Sequence, residues 1–232
     1  MKLRVIADPH IGDKSDTDDF IGEEVFLEFL NDTDRNGFQL VILGDICERW
    51  QSLFYWIFKK YKRVWDKLAS MYPTPLFILG NHDSDRKGKH TGHILKKKYG
   101  LDSSYELIYH GILFIHGHQF DRYNRQGAVI GWLTAKVGGF IESHIYPDID
   151  KDFIKFRRYI QPKKSIVNYP REVAMYAKRK GVKTAVFGHT HEKCAKKYFG
   201  NMDVLNPGCL VNGHFDYLEF QNEKREQKEW KK

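Results

Sequence analysis

Apolar positions along this chain follow two periods. Short unbroken runs at Lys2–Ala7 (KLRVIA), Gln39–Leu43 (QLVIL) and 76–79 (LFIL) predict strands buried on both faces. Between the first two, apolar side chains at 21, 25, 26, 29 and 30 have the spacing of one helix face, and Gly37 closes that helix. An aromatic stretch over 53–71 predicts a second helix, which Pro73 and Pro75 end. The chain up to Gly80 thus alternates strand, helix, strand, helix, strand. Beyond it, Glu106–Tyr109 and Ile112–Ile115 flank His110-Gly111 as a hairpin. Further strands are expected at Thr184–Phe187, 197–199, 204–205 and 217–220. Residues 119–181 carry no strand signal and read as several helices, and the C-terminal residues ending in KEWKK read as a frayed polar tail. The pattern predicts one α/β domain over 1–232 with a helical insertion at 119–181.

Composition narrows the class. With 41% hydrophobic and 15% aromatic residues among 232, the chain has enough to bury and is not disordered. No apolar run approaches the roughly 20 residues of a membrane span. The opening MKLRVIAD turns acidic at Asp8, so no signal-peptide core is read there, and a cytoplasmic protein is expected. Cys47, Cys194 and Cys209 are too few and too scattered for a disulfide framework or a Cys-rich zinc site. The net charge of +8 favours a polyanionic partner: nucleic acid, anionic lipid or a phosphorylated substrate. That charge is concentrated, since 151–183 holds 11 Lys or Arg against Asp152 and Glu172, whereas 13–34 holds nine acidic residues and one Lys.

Candidate chemistry collects at strand ends. Asp8-Pro9-His10 follows the first strand, Gly44-Asp45 the second and Gly80-Asn81-His82-Asp83 the third. His116-Gly117-His118 follows the hairpin, and Gly188-His189-Thr190-His191 the later strand. Each pattern alone is an ordinary turn; five successive strand ends carrying Asp, Asn or His are not. Glycine before Asp45, Asn81 and His189 would let the backbone turn where a polar side chain is presented. Imidazoles, carboxylates and an amide oxygen without thiolate suit Mn²⁺, Fe²⁺ or Zn²⁺ rather than Ca²⁺. Seven such residues exceed the needs of one ion, so two ions sharing a carboxylate are expected, the arrangement that serves in-line phosphoryl displacement.

These five segments, in this order over residues 8 to 191, resemble the signatures of the calcineurin-like metallophosphoesterases. The resemblance implies a four-layer α-β-β-α sandwich around a dinuclear centre, with Mn²⁺ preferred and Fe²⁺ or Zn²⁺ as alternatives. It implies that Asp8, His10 and His191 hold one metal, that Asn81, His116 and His189 hold the other, and that Asp45 bridges them. A hydroxide bridging the metals would attack phosphorus in line. His82 would stabilise the phosphoryl oxygens or protonate the leaving group, and Asp83 would orient its imidazole. Asn206-Pro207-Gly208 is similar to a late turn of the family. Substrate contacts are expected at His118, Arg122, Arg157 and Arg158. His90, His93, His110, His144 and His214 match no motif and read as surface or packing residues.

The segment Gly44-Asp45-Ile46-Cys47-Glu48-Arg49-Trp50 resembles the branch that contains UDP-2,3-diacylglucosamine diphosphatase, whose insertion is a lid over acyl chains. Here 128–145 is apolar and 151–183 basic, which suits a nucleotide-linked or lipid-linked phosphate and peripheral contact with a membrane. Two positions depart from that branch, His82 standing for its Arg and His118 for its Asp. The reading is therefore a hydrolase of phosphodiester or pyrophosphate bonds. The alternatives are a nuclease for single-stranded nucleic acid, with Phe153, Phe156, Tyr159, Tyr169 and Tyr176 stacking bases, and a non-catalytic scaffold.

Overall fold

A computed structural model describes residues 1–15, 18–49, 52–83, 91–120, 163–211, 213–222 and 224–231. The order is β1 (Lys2–Ala7), α1 (Glu23–Arg35), β2 (Gln39–Leu43), α2 (Phe54–Lys60), α3 (Lys62–Ser70) and β3 (Leu76–Ile78). A short helix α4 (Thr91–Ile94) runs into a π-helical turn (Leu95–Tyr99), followed by β4 (Ser103–Ser104), β5 (Glu106–Tyr109) and β6 (Ile112–Ile115). After a 3-10 turn (His118–Phe120) come α5 (Lys163–Arg179), β7 (Thr184–Phe187), β8 (Cys194–Tyr198), β9 (Met202–Asn206), β10 (Asp216–Gln221) and β11 (Lys224–Glu229).

Two sheets form, β11-β10-β1-β2-β3-β4 and β5-β6-β7-β9-β8. Strands β1 to β4 are mutually parallel, as are β6, β7 and β9. Side-chain alternation explains the layers. Leu3, Val5 and Ala7 of β1 face inward and meet Ile112, Phe114 and Val186 of the other sheet. Ile6, Ile42 and Phe77 face outward onto Phe26, Phe29 and Leu30 of α1 and Trp65 of α3. On the far side, Leu113, Ile115 and Ala185 pack under Val173, Ala174 and Ala177 of α5. The result is the α-β-β-α sandwich expected from the sequence. Strands that carry an apolar residue at every position, such as QLVIL, are the ones packed on both faces.

Two expectations are corrected. The helix read over 53–71 is two helices, with Tyr61 between them at φ −109° and ψ 30°. No Gly or Pro marks the break; Tyr61 turns there because its buried ring meets Phe20 at 5.1 Å and its hydroxyl donates to Asp18 Oδ2 at 2.8 Å. The C-terminal tail is not frayed. Lys224–Glu229 pairs antiparallel with β10, and Trp230 packs edge-on against Phe29 at 5.3 Å. An edge strand written KREQKE has no apolar face, so periodicity misses it. Of the expected insertion, 121–162 lies outside the described residues, and 163–179 is helical. No helix among the described residues is long and apolar enough to cross a membrane.

Candidate metal centre

The C-terminal ends of β1, β2, β3, β6 and β7 converge between the sheets, and the polar residues that follow them meet. Their backbone is unusual. Asp8, His10, Asp45, His189 and His191 all have positive φ, between 46° and 69°, where non-glycine residues are uncommon. Glycines beside them serve mainly close approach. A Cβ on Gly80 would lie 2.1 Å from Asp45 Oδ1, one on Gly44 2.4 Å from His116 Nδ1, and one on Gly188 2.8 Å from Asp8 Oδ2. Of these three only Gly44 has positive φ, so at Gly80 and Gly188 crowding, not turning, explains the residue. Substituting Gly80→Ala should therefore displace Asp45 and cost about 2–3 kcal/mol of stability. Thermal denaturation checks this, and an unchanged melting temperature would refute the close-packing argument.

Three groups of candidate ligands result among the described residues, one of them His10, Glu48 and His82, and the other two built from the expected metal ligands. Asp8, His10 and His191 present donor atoms within 4.8 Å of one another, as do Asp45, His116 and His189. His10 Nε2 and His191 Nε2 face each other at 3.3 Å. Two imidazole lone pairs at that distance repel unless a proton or a cation lies between them. His116 Nε2 lies 3.2 Å from both Asn81 Oδ1 and Asp45 Oδ2, while Asp45 Oδ2 is also 3.9 Å from His10 Nε2. Asp45, a member of the second cluster, thus also approaches the first. The donor set of nitrogen and oxygen atoms without sulfur fits borderline-to-hard divalent cations. Asp8 and His116 are fully buried and Asp45 nearly so, whereas His191 is the most exposed member.

Supporting contacts hold these groups. Asp8 accepts the His189 backbone N–H, at 2.9 Å to Oδ2, and His116 Nδ1 faces the Leu43 carbonyl at 2.9 Å. Asn206 donates to the Gly188 carbonyl and to Thr190 Oγ1, both at 3.0 Å, so the late Asn-Pro-Gly turn clamps the loop that carries His189. Tyr169 of α5 donates its hydroxyl to the Gly117 carbonyl and stacks against His189, centroids 5.9 Å apart.

One expected contact is corrected. Asp83 does not orient the His82 ring. Its buried Oδ1 accepts Cys47 N–H at 3.0 Å and its Oδ2 accepts Gly80 N–H at 2.8 Å, so it ties the β2 and β3 loops together. Glu48 takes the orienting place. Its Oε2 lies 2.8 Å from His82 Nδ1 and 2.9 Å from His10 Nδ1. Its signal in the sequence is an acidic residue three positions beyond Asp45. His118 sits beside the second cluster, 5.3 Å from the His116 ring, and its Nδ1 has no hydrogen-bond partner among the described residues. Arg122, Arg157 and Arg158 lie outside the described residues, as do Trp50, His90 and His144. His93, His110 and His214 join neither cluster.

The electrostatics are those of a site that wants positive charge. Burial works against protonated imidazole, yet Glu48, Asp45 and Asp8 raise His10 to about 9. Against the same penalty, Asp45 and Asp8 raise His116 to about 10. Burial lifts Asp8 to about 7, while the nearby imidazoles hold Asp45 well below the carboxylate range despite its burial. His118 moves the other way, to about 3, through burial and the charge on His116, and stays neutral. Without metal, protons fill the role of the cations. Because His10 and His116 bind protons more tightly folded than unfolded, the metal-free protein loses stability as pH rises from 6.5 through about 9. Metal takes those nitrogens out of titration. The melting-temperature gap between metal-loaded and metal-free protein should widen from pH 6.5 to 9 in paired calorimetric scans, and a constant gap would contradict the charge balance described.

Residues 1–193, which include every candidate ligand, match the calcineurin-like phosphoesterase family. The chain belongs to that family. It is a metallophosphoesterase, a hydrolase of phosphoester bonds that takes divalent metal ions. Among solved structures this phosphoesterase is similar to wild-type Vps29 of Entamoeba histolytica complexed with Zn²⁺, at 18% identity over 100% of both chains with a TM-score of 0.50. A metallophosphoesterase of Sphaerobacter thermophilus is similar at 12% identity, covering 99% of this chain and 88% of that one, also at 0.50. At these identities the likeness concerns the fold alone. No curated protein matches the chain.

Proposed function

We propose that this phosphoesterase works in the cytoplasm on a phosphodiester or pyrophosphate bond of a nucleotide-linked or lipid-linked substrate, such as UDP-2,3-diacylglucosamine. Two divalent cations, Mn²⁺ ahead of Fe²⁺ and Zn²⁺, are its cofactors. The observation that carries this reading is the pair of clusters, with Asp45 in the second and its Oδ2 3.9 Å from His10 Nε2 of the first. Asp8, His10 and His191 would hold one ion, Asn81, His116 and His189 the other, with Asp45 shared. When bound, the ions supply an activated water and the positive charge that offsets charge developing on the phosphate.

The chain's own residues do the rest. His82, set in place by Glu48 through Nδ1, is the group that stabilises the phosphoryl oxygens or protonates the leaving oxygen. Neutral His118 offers a hydrogen bond at the edge of the second cluster, and Arg122, Arg157 and Arg158 would supply phosphate contacts. The choice of a lipid-linked substrate is supported by the acidic residue at Glu48 and by the apolar and basic sequence of 128–145 and 151–183.

The test is Mn²⁺-dependent hydrolysis of bis-p-nitrophenyl phosphate beside p-nitrophenyl phosphate, followed by UDP-2,3-diacylglucosamine and a single-stranded oligonucleotide. Diester turnover followed by pyrophosphate cleavage supports the proposal. Preference for the oligonucleotide would assign a nuclease. Absence of turnover with metal bound would leave a scaffold.

A further inference from the structure

The stretch entering α2 departs from the burial pattern of the rest of the chain. Leu53, Tyr55 and Trp56 are 63%, 62% and 40% exposed, three large apolar side chains within four positions. Elsewhere among the described residues, large exposed apolar side chains stand singly or at most as a pair, at Met1, Tyr72, Tyr105 with Ile108, and Phe199. Scattered residues need no explanation; a contiguous group does. Beside the group opens a cleft of about 410 Å³, walled by Phe54, Phe58 and Ile94 and edged by Lys59, Lys62 and Lys98.

Charge surrounds this patch with one sign. Segments 53–63 and 94–99 together carry seven basic residues and no acidic one. Lys62, Arg63 and Lys96 are matched by Asp66, Glu24 and Asp102 from neighbouring segments. Lys59, Lys60, Lys97 and Lys98 are exposed and have no carboxylate partner among the described residues. The lysines and rings are interleaved, with Lys59 Nζ 5.2 Å from the Tyr55 centroid and 5.3 Å from that of Trp56, and Lys60 Nζ 5.7 Å from Trp56.

We propose that this face docks on the surface of an anionic lipid bilayer. Leu53, Tyr55 and Trp56 enter the boundary between headgroups and acyl chains, and the four unmatched lysines meet lipid phosphates. Tyr and Trp are amphipathic rings suited to that depth, and lysine stems reach from it to the headgroups. A single-stranded nucleic acid would also seek lysines and aromatics, but it needs open ring faces on which bases stack. Here Tyr55 and Trp56 pack edge to face on each other at 4.9 Å and share the Lys59 ammonium, and the most exposed member of the patch is aliphatic Leu53. The face is also tied to the metal centre. Arg49 adjoins Glu48, its backbone N–H donates to the His82 carbonyl, and its guanidinium lies 3.4 Å over the Phe54 ring. The inference does not depend on which phosphoester is cleaved.

Co-sedimentation of the full chain with vesicles tests it, comparing phosphatidylcholine alone with phosphatidylcholine containing about 30% phosphatidylglycerol, at low and high salt. The expected result is binding to the anionic vesicles that weakens with salt. Leu53→Ser with Trp56→Ala, and separately Lys59→Glu with Lys60→Glu, should each reduce it by about tenfold or more. The charge variant alters only exposed side chains, so it keeps the test decisive if the apolar variant misfolds. Hydrolysis of a soluble aryl phosphate should be unchanged in both, which separates failure of docking from failure of the catalytic reading. Failure to bind anionic vesicles, or binding that both variants leave intact, would overturn the proposal. So would binding of a dT oligonucleotide that the same substitutions abolish while vesicle binding persists.

Discussion

Substituting Asp45→Asn is expected to abolish turnover while leaving the fold in place. Asp45 Oδ1 accepts the His82 backbone N–H at 2.8 Å, and Oδ2 lies 3.2 Å from His116 Nε2. Asparagine has the same shape and keeps an oxygen for the His82 N–H, so the β2 and β3 loops stay joined. The buried negative charge is lost. That charge is what holds His116 positive in the metal-free protein and what two cations would share. Removing it should lower kcat roughly 10³-fold, equal to about 4 kcal/mol of barrier. Metal content should fall below two ions per chain. Steady-state kinetics with bis-p-nitrophenyl phosphate and metal analysis of the purified variant measure both. Undiminished turnover with full metal content would remove Asp45 from the shared position.

What made most of this site legible was its place on buried strands. QLVIL and TAVF announce strands because both faces are packed, and the residue just past each run is where the chain must leave the sheet. The sequence therefore located Asp8, Asp45, Asn81, His116 and His189 without any knowledge of distances. It could not show which acidic group meets which imidazole, because that depends on loops folding back across two sheets. Glu48 and Asp83 are both near ligands in sequence, and only the loop path makes Glu48 the partner of His82 while turning Asp83 inward to Cys47 N–H and Gly80 N–H. Tyr169 was equally hidden. It reads as one more aromatic on a basic helix, yet its ring lies against His189, which comes later in the chain and is brought beside it only by the turn into β7. The break at Tyr61 and the strand Lys224–Glu229 escaped for the same reason, being dictated by tertiary partners and not by local pattern.

Glu48→Gln should impair two functions that His82→Ala separates. Glu48 is buried, and although burial alone would raise its carboxyl, His82 and His10 hold it well below the usual carboxylate range. As a carboxylate it accepts the Nδ1 proton of both rings through one oxygen, which leaves His10 Nε2 facing the first ligand cluster and, on the proposed reading, turns the His82 ring toward the substrate. Glutamine keeps the length and loses the charge. Affinity for the metal held by His10 should fall about 10–100-fold, as it does when the hydrogen-bond partner of a metal-ligating histidine is altered. At saturating metal kcat should still be reduced, because the His82 ring loses the carboxylate that fixes its orientation. The substitution His82→Ala should cost about 10²-fold or more in kcat while both metals stay bound with unchanged affinity. Combining the two gives the decisive comparison. With His82 already absent, Glu48→Gln should still weaken metal binding by the same factor but reduce kcat by much less. Isothermal titration with Mn²⁺ and kinetics at saturating metal read the two effects independently. If the kcat losses multiplied in full, Glu48 would act on turnover without His82, and the shared-acceptor geometry would not be the reason for its effect.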